Sequence, residues 1–287
     1  MSILVMLDGR LCAPGDATVS VFDRGFLYGD SVFETLRTYG GVPFELDAHL
    51  QRLERSAGLV HIPLPLGRAA LAAEISEAVA AAANAESYVR VMVTRGQGPM
   101  GLDPALAERP LRVIMVQPLQ PPPAEQYSQG IGAISYATHR VLDASGVQGA
   151  KLGNYLTSVL AMREARLHGA LEALILDAGG RVLEGASSNV FAVQGERLIT
   201  PPVEAGILPG ITRGCLLELA RQLGLAVELR LIPLEEAYAA SELFITSSIR
   251  ELLPVVRLDG RVLGTGAVGP VFRRLLAAFR AHVRRPP

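Results

Sequence analysis

Of the 27 lysine and arginine residues in this 287-residue chain, Lys151 alone is a lysine. Base composition can favour Arg over Lys wherever water solvates the charge. A guanidinium stays protonated, however, whereas a partly desolvated lysine can lose its proton and attack a carbonyl. Schiff-base chemistry therefore makes Lys151 the leading catalytic candidate. The competing interpretation is an ordinary surface lysine that escaped compositional drift, and the surrounding residues must decide between the two.

An anion site is predicted where residues 207–213, ILPGITR, lead directly into an apolar helix. The first amides of a helix, here those of Ile211 and Thr212, lack intrahelical acceptors and bind anions such as phosphate. Gly210 permits a close approach of the backbone, and Thr212 can add its hydroxyl. The alternative is that Thr212 only caps its helix.

Two further side chains suit a heteroaromatic ring bound at Lys151. Glu184, in EGASSNVF at the end of a strand-turn-strand, could keep a pyridine nitrogen protonated, so that the ring accepts electrons from a substrate carbon. Tyr155 lies four residues after Lys151, roughly one helical turn, and its phenol could donate to a ring oxygen. A solvated turn glutamate and a half-buried core tyrosine are the alternatives. With the anion site, these residues supply the three partners that pyridoxal 5'-phosphate bound to Lys151 would need, so this is the cofactor expected.

The elements that must position these residues alternate between strand and helix. Residues 32–46 place two extended runs around Gly40 and Gly41, which is typical of a β-hairpin. A helix follows, which Asp47 can cap and Gly58 ends. The remaining elements predicted are helices at 67–83, 155–168, 212–224 and the C-terminus, and strands at 87–95, 111–118, 131–136, 171–177, 189–194, 226–232 and 242–247.

The prolines of QPPPAEQYSQG, residues 120–130, stiffen the backbone and remove amide donors, so this segment cannot continue a sheet. We therefore predict an α/β (α+β) protein with a small N-terminal domain at 1–120, a linker at 121–130 and a larger domain at 131–287. A Gly-containing loop would lead from the strand at 131–136 to Lys151.

Composition excludes several classes of protein. The formal net charge of −1 gives no overall field to recruit nucleic acid or anionic membrane, and the basic residues within 273–285 are interpreted as the solvated face of a terminal helix. Cys12 and Cys215 are far apart, so neither a disulfide framework nor a thiolate metal site is indicated, which fits a reducing cytoplasm. Residues 1–9 have no basic targeting region, and no apolar run is long enough for a membrane span. No metal site is expected, since paired ligand spacing is missing from the histidines, His49, His61, His139, His168 and His282.

A glycine pattern also imitates a nucleotide-binding motif. Gly96, Gly98 and Gly101 form G-x-G-x-x-G directly after an apolar strand. A dinucleotide site needs a helix that opens at the glycines, but the prolines of LDPALAERP, residues 102–110, predict a loop there instead.

Six motifs, in chain order DRGFLYGDSVFETLR, HLQRL, KLGNY, EGASSNVF, ILPGITR and SSIRELLPVV, resemble those of the class IV pyridoxal-phosphate aminotransferase family. This family includes branched-chain and D-amino acid aminotransferases and aminodeoxychorismate lyases. The resemblance covers most of the chain and implies a small N-terminal α/β domain, a larger pseudo-barrel domain and the cofactor between them. It also implies a homodimer in which the neighbour completes each active site.

By motif, the resemblance implies that Lys151 is the Schiff-base lysine, Glu184 the pyridine-nitrogen partner and Tyr155 the ring-oxygen partner. Leu208 would pack on the ring. The phosphate donors implied are Arg52, Ile211, Thr212 and Ser248. The substrate pocket implied is formed by Tyr28, Phe33, Tyr88, Arg90 and the backbone at Ile249 and Arg250.

Within the family, Tyr88 and Arg90 resemble the Tyr-x-Arg pair of branched-chain aminotransferases. Met100 and Leu102 stand where the D-amino acid subgroup carries Arg and His for the substrate carboxylate, which argues against D-amino acid activity. Two departures resemble the lyases: FETLR replaces FEGIR, and SSIRE replaces GTAAE and brings Arg250 near the substrate carboxylate.

Three hypotheses follow. The first is an L-amino acid:2-oxoglutarate aminotransferase that prefers aliphatic side chains, in which Lys151 moves the α-proton. The second is an aminodeoxychorismate lyase, which shares the first steps but releases pyruvate and leaves 4-aminobenzoate. The third is a metabolite-binding or scaffold protein that keeps the fold without turnover.

Overall fold

The computed structural model describes residues 2–107, 109–138 and 147–284. The chain folds into two compact units: the first is Met1–Gln120 with Ala150–Tyr155, and the second is Pro121–Gly149 with Leu156–Pro287. Each unit combines a sheet with helices, so the predicted α/β class is confirmed. Most of the loop predicted to lead to Lys151 lies outside the described residues, as does His139.

The first unit is built on one antiparallel sheet with the strand order β2-β1-β6-β5-β3-β4. Its strands are β1 (Leu4–Leu7), β2 (Arg10–Cys12), β3 (Ser31–Tyr39), β4 (Val42–Pro43), β5 (Ser87–Thr94) and β6 (Leu111–Pro118). Its helices are α1 (Arg24–Tyr28), α2 (Leu46–Leu59) and α3 (Arg68–Ala82), with 3-10 helices at Pro14–Asp16 and Pro104–Leu106.

One face of this sheet carries the core. Successive strand residues point to opposite faces, so Val89 and Val91 of β5 and Leu36 of β3 share the side on which α2 and α3 pack. The helices supply Leu53 and Ile75, both fully buried. The other face of β3 and β5 is therefore left for the residues that could meet a ligand.

The predicted hairpin is confirmed. Gly40 and Gly41, at φ of 60° and 79°, connect β3 to β4, and two left-handed residues in a row favour the type I′ turn that suits twisted strands. The predicted cap of α2 is wrong. Glu45 occupies the N-cap position, whereas Asp47 lies in the first helical turn and accepts hydrogen bonds from Gln51 and Arg68.

The second unit contains one mixed sheet of ten strands, with the path β12-β11-β10-β14-β15-β7-β8-β9-β13 and β16 paired to β15. Its strands are β7 (Ile131–Ala137), β8 (Glu172–Leu176), β9 (Arg181–Gly185), β10 (Asn189–Gln194), β11 (Arg197–Thr200), β12 (Ala226–Leu229), β13 (Ile232–Pro233), β14 (Glu242–Ser247), β15 (Glu251–Leu258) and β16 (Arg261–Val262). Its helices are α4 (Ala124–Gln129), α5 (Leu156–Leu167), α6 (Ile211–Gln222), α7 (Leu234–Ala239) and α8 (Pro270–Val283), with a 3-10 helix at Val203–Ala205.

Several details of this unit differ from the prediction. Residues 226–232 are not one strand: β12 pairs with β11 and β13 pairs with β9, at the two ends of the sheet. The eight-residue β15 was not predicted, and it lies between β14 and β7. The proline segment at 121–130 contains α4, which starts directly after Pro123.

Residues 150–155 belong to the first unit, although in sequence they lie between the two segments of the second. Leu152 pairs with Val32, the amide of Phe33 donates to the carbonyl of Lys151 at 3.1 Å, and the amide of Gly153 donates to the carbonyl of Ser31 at 2.8 Å. Backbone pairing to β3 thus fixes the segment that carries the lone lysine. None of the helices in the described ranges is both long and apolar enough to cross a lipid bilayer.

Candidate active site

The first group of candidate residues surrounds Lys151. The Lys151 amide donates to Ser56 Oγ of α2 at 3.1 Å, which adds a third backbone anchor to this segment. Gly153 is required by close packing, since a Cβ there would lie 2.1 Å from Ser31 Oγ. The motif KLGNY therefore combines a reactive side chain with a backbone held against β3.

The side chain of Lys151 points to aromatic groups. Its Nζ lies 3.1 Å from Tyr155 Oη and 4.6 Å from the centroid of the Phe33 ring. The guanidinium carbon of Arg90 lies 3.9 Å from the same centroid, and the Tyr155 ring meets Phe33 edge-on at 5.1 Å. Lys151, Tyr155, Phe33 and Arg90 are thus brought together, but not as predicted on one helical turn, since α5 begins only at Leu156.

Strand register explains why Phe33 and Arg90 share a face. In the antiparallel pair of β3 and β5, Phe33 is opposite Met92, Thr35 is opposite Arg90 and Arg37 is opposite Tyr88. Residues opposite each other point to the same side, so these six side chains occupy the face away from the helices. Tyr88 lies two residues before Arg90 on β5, so its side chain points to the same face.

Tyr28 is held in place by residues 96–102, here called the glycine loop. Its hydroxyl accepts a hydrogen bond from the amide of Gly101 at 3.0 Å, and its ring lies against Arg24. Arg24 in turn donates to the carbonyls of Gly101 and Leu102. Tyr28 and this loop therefore form one connected surface.

The prediction of a loop after the glycines, instead of a helix, is confirmed. The 3-10 helix at Pro104–Leu106 follows them, with no α-helix opening at the glycines. A Cβ at Gly96 would lie 1.8 Å from the carbonyl oxygen of Arg109, and one at Gly98 would lie 2.1 Å from that of Leu106. Backbone packing explains these glycines without a nucleotide.

On the helix side of β3, a buried charge cluster was not predicted. Glu34 is fully buried and accepts two hydrogen bonds from Arg52, both at 2.7 Å, and one from His49 Nδ1 at 2.7 Å. Burial alone would raise the pKa of Glu34, but Arg52 and then His49 lower it to about 2. Burial lowers the pKa of His49, even though Glu34 favours the charged ring, so the neutral imidazole donates its Nδ1 proton.

The sequence contained a signal for this cluster. Glu34 belongs to FETLR and His49 and Arg52 to HLQRL, and His49 precedes Arg52 by one turn of the predicted helix. The strand alternation that puts Phe33 on one face puts Glu34 on the other, where these two side chains point. The proposed phosphate donor Arg52 is thus held by a bidentate ion pair.

In the second unit, Glu184 is positioned on β9. The residue is buried, and Oε2 of its carboxylate accepts a hydrogen bond from the amide of Leu208 at 3.0 Å. The carbonyl of Leu208 accepts from Asn189 Nδ2 at 2.8 Å. Glu184 and Leu208, predicted to contact one ring, are therefore directly connected. Asn189 lies within EGASSNVF, but its role was missed because its partner Leu208 is 19 residues away in sequence.

The start of α6 offers donors that suit a phosphate. Gly210 is the N-cap and provides no side-chain cap, which excludes Thr212 as the cap and places it in the first turn. In the described part of the chain, no hydrogen-bond acceptor is found for the amides of Ile211 and Thr212 or for the hydroxyl of Ser248. First-turn amides have no intrahelical acceptor, so an anion would satisfy them.

A buried hydroxyl lies on the same side. Thr246 Oγ1 is the one buried side-chain polar atom without a hydrogen-bond partner among residues 2–107, 109–138 and 147–284. Thr246 is opposite Asn189 in the antiparallel pair of β14 and β10, so both side chains share a face, and Asn189 Oδ1 lies close against Gly210. The donor set around the start of α6 therefore fits a phosphate group.

The guanidinium of Arg250 donates its hydrogen bonds to neighbouring side chains of the second unit. Its Nη2 donates to Glu172 at 2.7 Å and to Ser187 Oγ at 3.0 Å, and its Nε donates to Ser247 Oγ at 3.2 Å. Glu172 is fully buried and also accepts from Ser188 Oγ at 2.8 Å. A role for Arg250 in holding a substrate carboxylate stays a prediction, as do the backbone contact at Ile249 and the ligand contacts assigned to the other site residues.

Comparisons with known proteins show the family to which the chain belongs. The family model for amino-transferase class IV matches residues 31–258. A Methanocaldococcus jannaschii protein provisionally named a branched-chain-amino-acid aminotransferase is 39% identical over 96% of this chain and 95% of its own length. A D-alanine aminotransferase of Bacillus licheniformis is 34% identical over 97% of this chain and 96% of its own length.

Solved structures show the same fold. The branched-chain amino acid aminotransferase of Escherichia coli superposes with a TM-score of 0.93 at 33% identity, over 98% of this chain and 94% of that one. The T.th. branched-chain amino acid aminotransferase complexed with N-(5'-phosphopyridoxyl)-L-glutamate gives a TM-score of 0.91 at 30% identity, over 99% and 95%. The chain belongs to the class IV aminotransferase family of pyridoxal-phosphate-dependent enzymes.

Proposed function

We propose that this enzyme transfers the amino group of an aliphatic L-amino acid, the branched-chain amino acids above all, to 2-oxoglutarate. The observation that carries the proposal is the position of Lys151, whose Nζ lies 3.1 Å from Tyr155 Oη on the ligand face of β3. Pyridoxal phosphate, when bound, supplies an aldehyde for a lysine amine and a ring that withdraws electrons from the substrate α-carbon.

Both units contribute residues to the proposed reaction. Lys151 would hold the cofactor at its aldehyde carbon through Nζ and would later carry the proton taken from the substrate α-carbon, while the Tyr155 hydroxyl would donate a hydrogen bond to the ring oxygen. Glu184 would accept a hydrogen bond from the protonated pyridine nitrogen, and its carboxylate is itself held by the amide of Leu208. The residues proposed to hold the phosphate are Arg52 in the first unit and Ile211, Thr212 and Ser248 in the second.

The ligand face of the first unit supports an aliphatic substrate. Phe33 and Tyr88 offer apolar rings, and Arg90 can receive a carboxylate by a bidentate contact. Met100 and Leu102, in the loop where D-specific relatives would need a carboxylate binder, offer only apolar side chains. We therefore infer L specificity, although one of the relatives compared is named a D-alanine aminotransferase.

Glutamate and 2-oxoglutarate are proposed as the second substrate pair, supported by the phosphopyridoxyl-glutamate complex of the T.th. enzyme. The relatives compared are named aminotransferases, which favours transamination over the lyase reaction. The test is to incubate the purified enzyme and pyridoxal phosphate with leucine and 2-oxoglutarate. We expect glutamate and the leucine keto acid in equal amounts. Glutamate formed from D-alanine but not from leucine would contradict the proposal.

A homodimer is also proposed, on the basis of apolar surface in the first unit. Five large side chains are 52–79% exposed in residues 21–28, which include α1, and in the glycine loop, namely Val21, Phe22, Phe26, Met100 and Leu102. The amide of Gly98 donates to the carbonyl of Phe22, so the two segments are adjacent. Contiguous apolar surface of this kind favours association, here with a second copy of the chain.

A further inference from the structure

Phe33 occupies the centre of the side chains around Lys151. Its ring is almost fully buried, and its centroid lies 4.6 Å from Lys151 Nζ, 3.9 Å from the guanidinium carbon of Arg90 and 5.1 Å from the Tyr155 ring. Its own amide donates to the carbonyl of Lys151. The backbone and the ring of one residue therefore both contact the lysine.

The face of an aromatic ring attracts a cation because its quadrupole is negative there. Two cationic groups lie close to the Phe33 centroid, the ammonium of Lys151 at 4.6 Å and the guanidinium of Arg90 at 3.9 Å. A purely apolar side chain of similar volume would fill the same space without attracting either group. The ring can therefore do more than line a pocket for an aliphatic substrate.

We propose that Phe33 is a positioning residue for Lys151, holding its amine beside Tyr155 and stabilising the ammonium form that the lysine adopts when it accepts a proton. This inference rests on the proposed function. In the proton transfer, the Cα–H bond of the substrate breaks, an N–H bond forms at Nζ, and the electron pair stays with the substrate. The positive charge gained at Nζ then lies over the ring of Phe33.

A fluorination series separates this role from simple packing. Site-specific replacement of Phe33 by mono-, di- and trifluorophenylalanine weakens the ring quadrupole stepwise while the ring size changes little. With the protein bound to pyridoxal phosphate, the rate of α-proton removal from leucine is read from the cofactor absorbance in single turnovers. We expect it to fall steadily, between about twofold and thirtyfold over the series, the range that cation–π strengths imply. The same series at Phe44, whose ring contacts Tyr39, is the control and should leave the rate unchanged.

A second readout needs no cofactor and no turnover. Lysine labelled with carbon-13 at Cε gives a single resonance in this chain, because Lys151 is its one lysine. We expect ring current from Phe33 to shift the attached protons upfield, and the Phe33→Leu variant to move them back towards the position of free lysine, with the part due to the Tyr155 ring retained. An unshifted resonance in the wild type, or a proton-removal rate that is flat across the fluorine series, would overturn the inference.

The two proposals fail in different ways. If borohydride does not fix pyridoxal phosphate to Lys151 in the wild type, the proposed function is wrong, whereas the ring-current shift still shows whether Phe33 positions the amine. If the cofactor is fixed and leucine reacts, but neither the rate of α-proton removal nor the Lys151 resonance changes when Phe33 is replaced, only the role of Phe33 is wrong.

Discussion

Replacing Lys151 by arginine tests a chemical requirement at the scale of one residue, because the charge is kept and the reactive amine is lost. We expect the Lys151→Arg variant to fold and to lose borohydride trapping of pyridoxal phosphate completely, since a guanidinium does not form the imine. Mass spectrometry of the reduced protein measures the covalent adduct.

The chain offers a matched control for the competing interpretation of a surface lysine. Arg163 is exposed on α5, so the double variant Lys151→Arg, Arg163→Lys carries its single lysine at the surface. We expect no stoichiometric adduct with this variant. An adduct equal to that of the wild type would show that any lysine suffices and that the surroundings of Lys151 are irrelevant.

Glu34 predicts a dependence of stability on pH. Its folded pKa of about 2 is below the ordinary 4.5, so the unfolded chain binds more protons between these values. The stabilisation is therefore complete above pH 4.5, falls as the pH decreases towards 2 and is lost below it. This lowering of the Glu34 pKa contributes on the order of 3 kcal/mol to the free energy of unfolding, at about 1.36 kcal/mol per pKa unit.

His49 acts in a separate pH range with the same sign. Its folded pKa is lowered from 6.5, so the unfolded chain takes up the proton first and stability decreases as the pH falls below 6.5. Urea unfolding from about pH 7 to pH 2 measures both effects. Glu34→Gln should flatten the curve between pH 4.5 and 2, and His49→Gln the curve just below 6.5. Curves parallel to that of the wild type would contradict the assignment.

Helix α6 provides a comparison at the scale of an element. A Cβ at Gly210 would lie 2.0 Å from Asn189 Oδ1, whereas Gly214, one turn later, has open space around it. We expect Gly210→Ala to displace Asn189, and with it Leu208, and to weaken binding of pyridoxal phosphate at least tenfold in an equilibrium titration. Gly214→Ala should leave the affinity unchanged and add up to about 1 kcal/mol of stability. Equal affinities in the two variants would show that this helix start does not bind the cofactor.

Local patterns predicted the elements that make their contacts nearby. The hairpin around Gly40 and Gly41 was recognisable because two adjacent glycines determine the turn, and α3 because alanine favours helix along its length. The strand β15 was not recognisable, because Pro254 interrupts its run of apolar residues. Proline is tolerated there because pairing with β7 starts at the next residue, Val255.

Other features depend on contacts between distant residues. Residues 226–232 read as a single strand, yet β12 and β13 find partners at opposite ends of the sheet, which local propensity does not encode. Similarly, the motifs identified Lys151, Glu184 and the start of α6, but not Glu34, which becomes visible only when strand alternation is combined with the approach of α2. The role of Asn189 likewise depends on its hydrogen bond to Leu208, 19 residues away.

For the whole molecule, the apolar surface of α1 and the glycine loop predicts the state of association. Sedimentation equilibrium of the wild type should give about twice the chain mass of 30.5 kDa. Phe26→Asp and Leu102→Asp should each produce monomers, because a charge in the centre of an apolar interface is costly to desolvate. Val42→Asp, at an exposed position of the hairpin, is the control. A monomeric wild type would refute the dimer, and charged variants that remain dimeric would place its interface elsewhere.

Because lysine occurs once, an endoproteinase that cuts after lysine has a single target in the chain, the bond between Lys151 and Leu152. The backbone on both sides of this bond is paired to β3, so cutting requires the segment to open first. The products are residues 1–151 and 152–287, one pair of bands without intermediates. An amine occupied by cofactor also prevents recognition of the lysine, so the rate of this one cut reports both the opening of the segment and the loading of the enzyme.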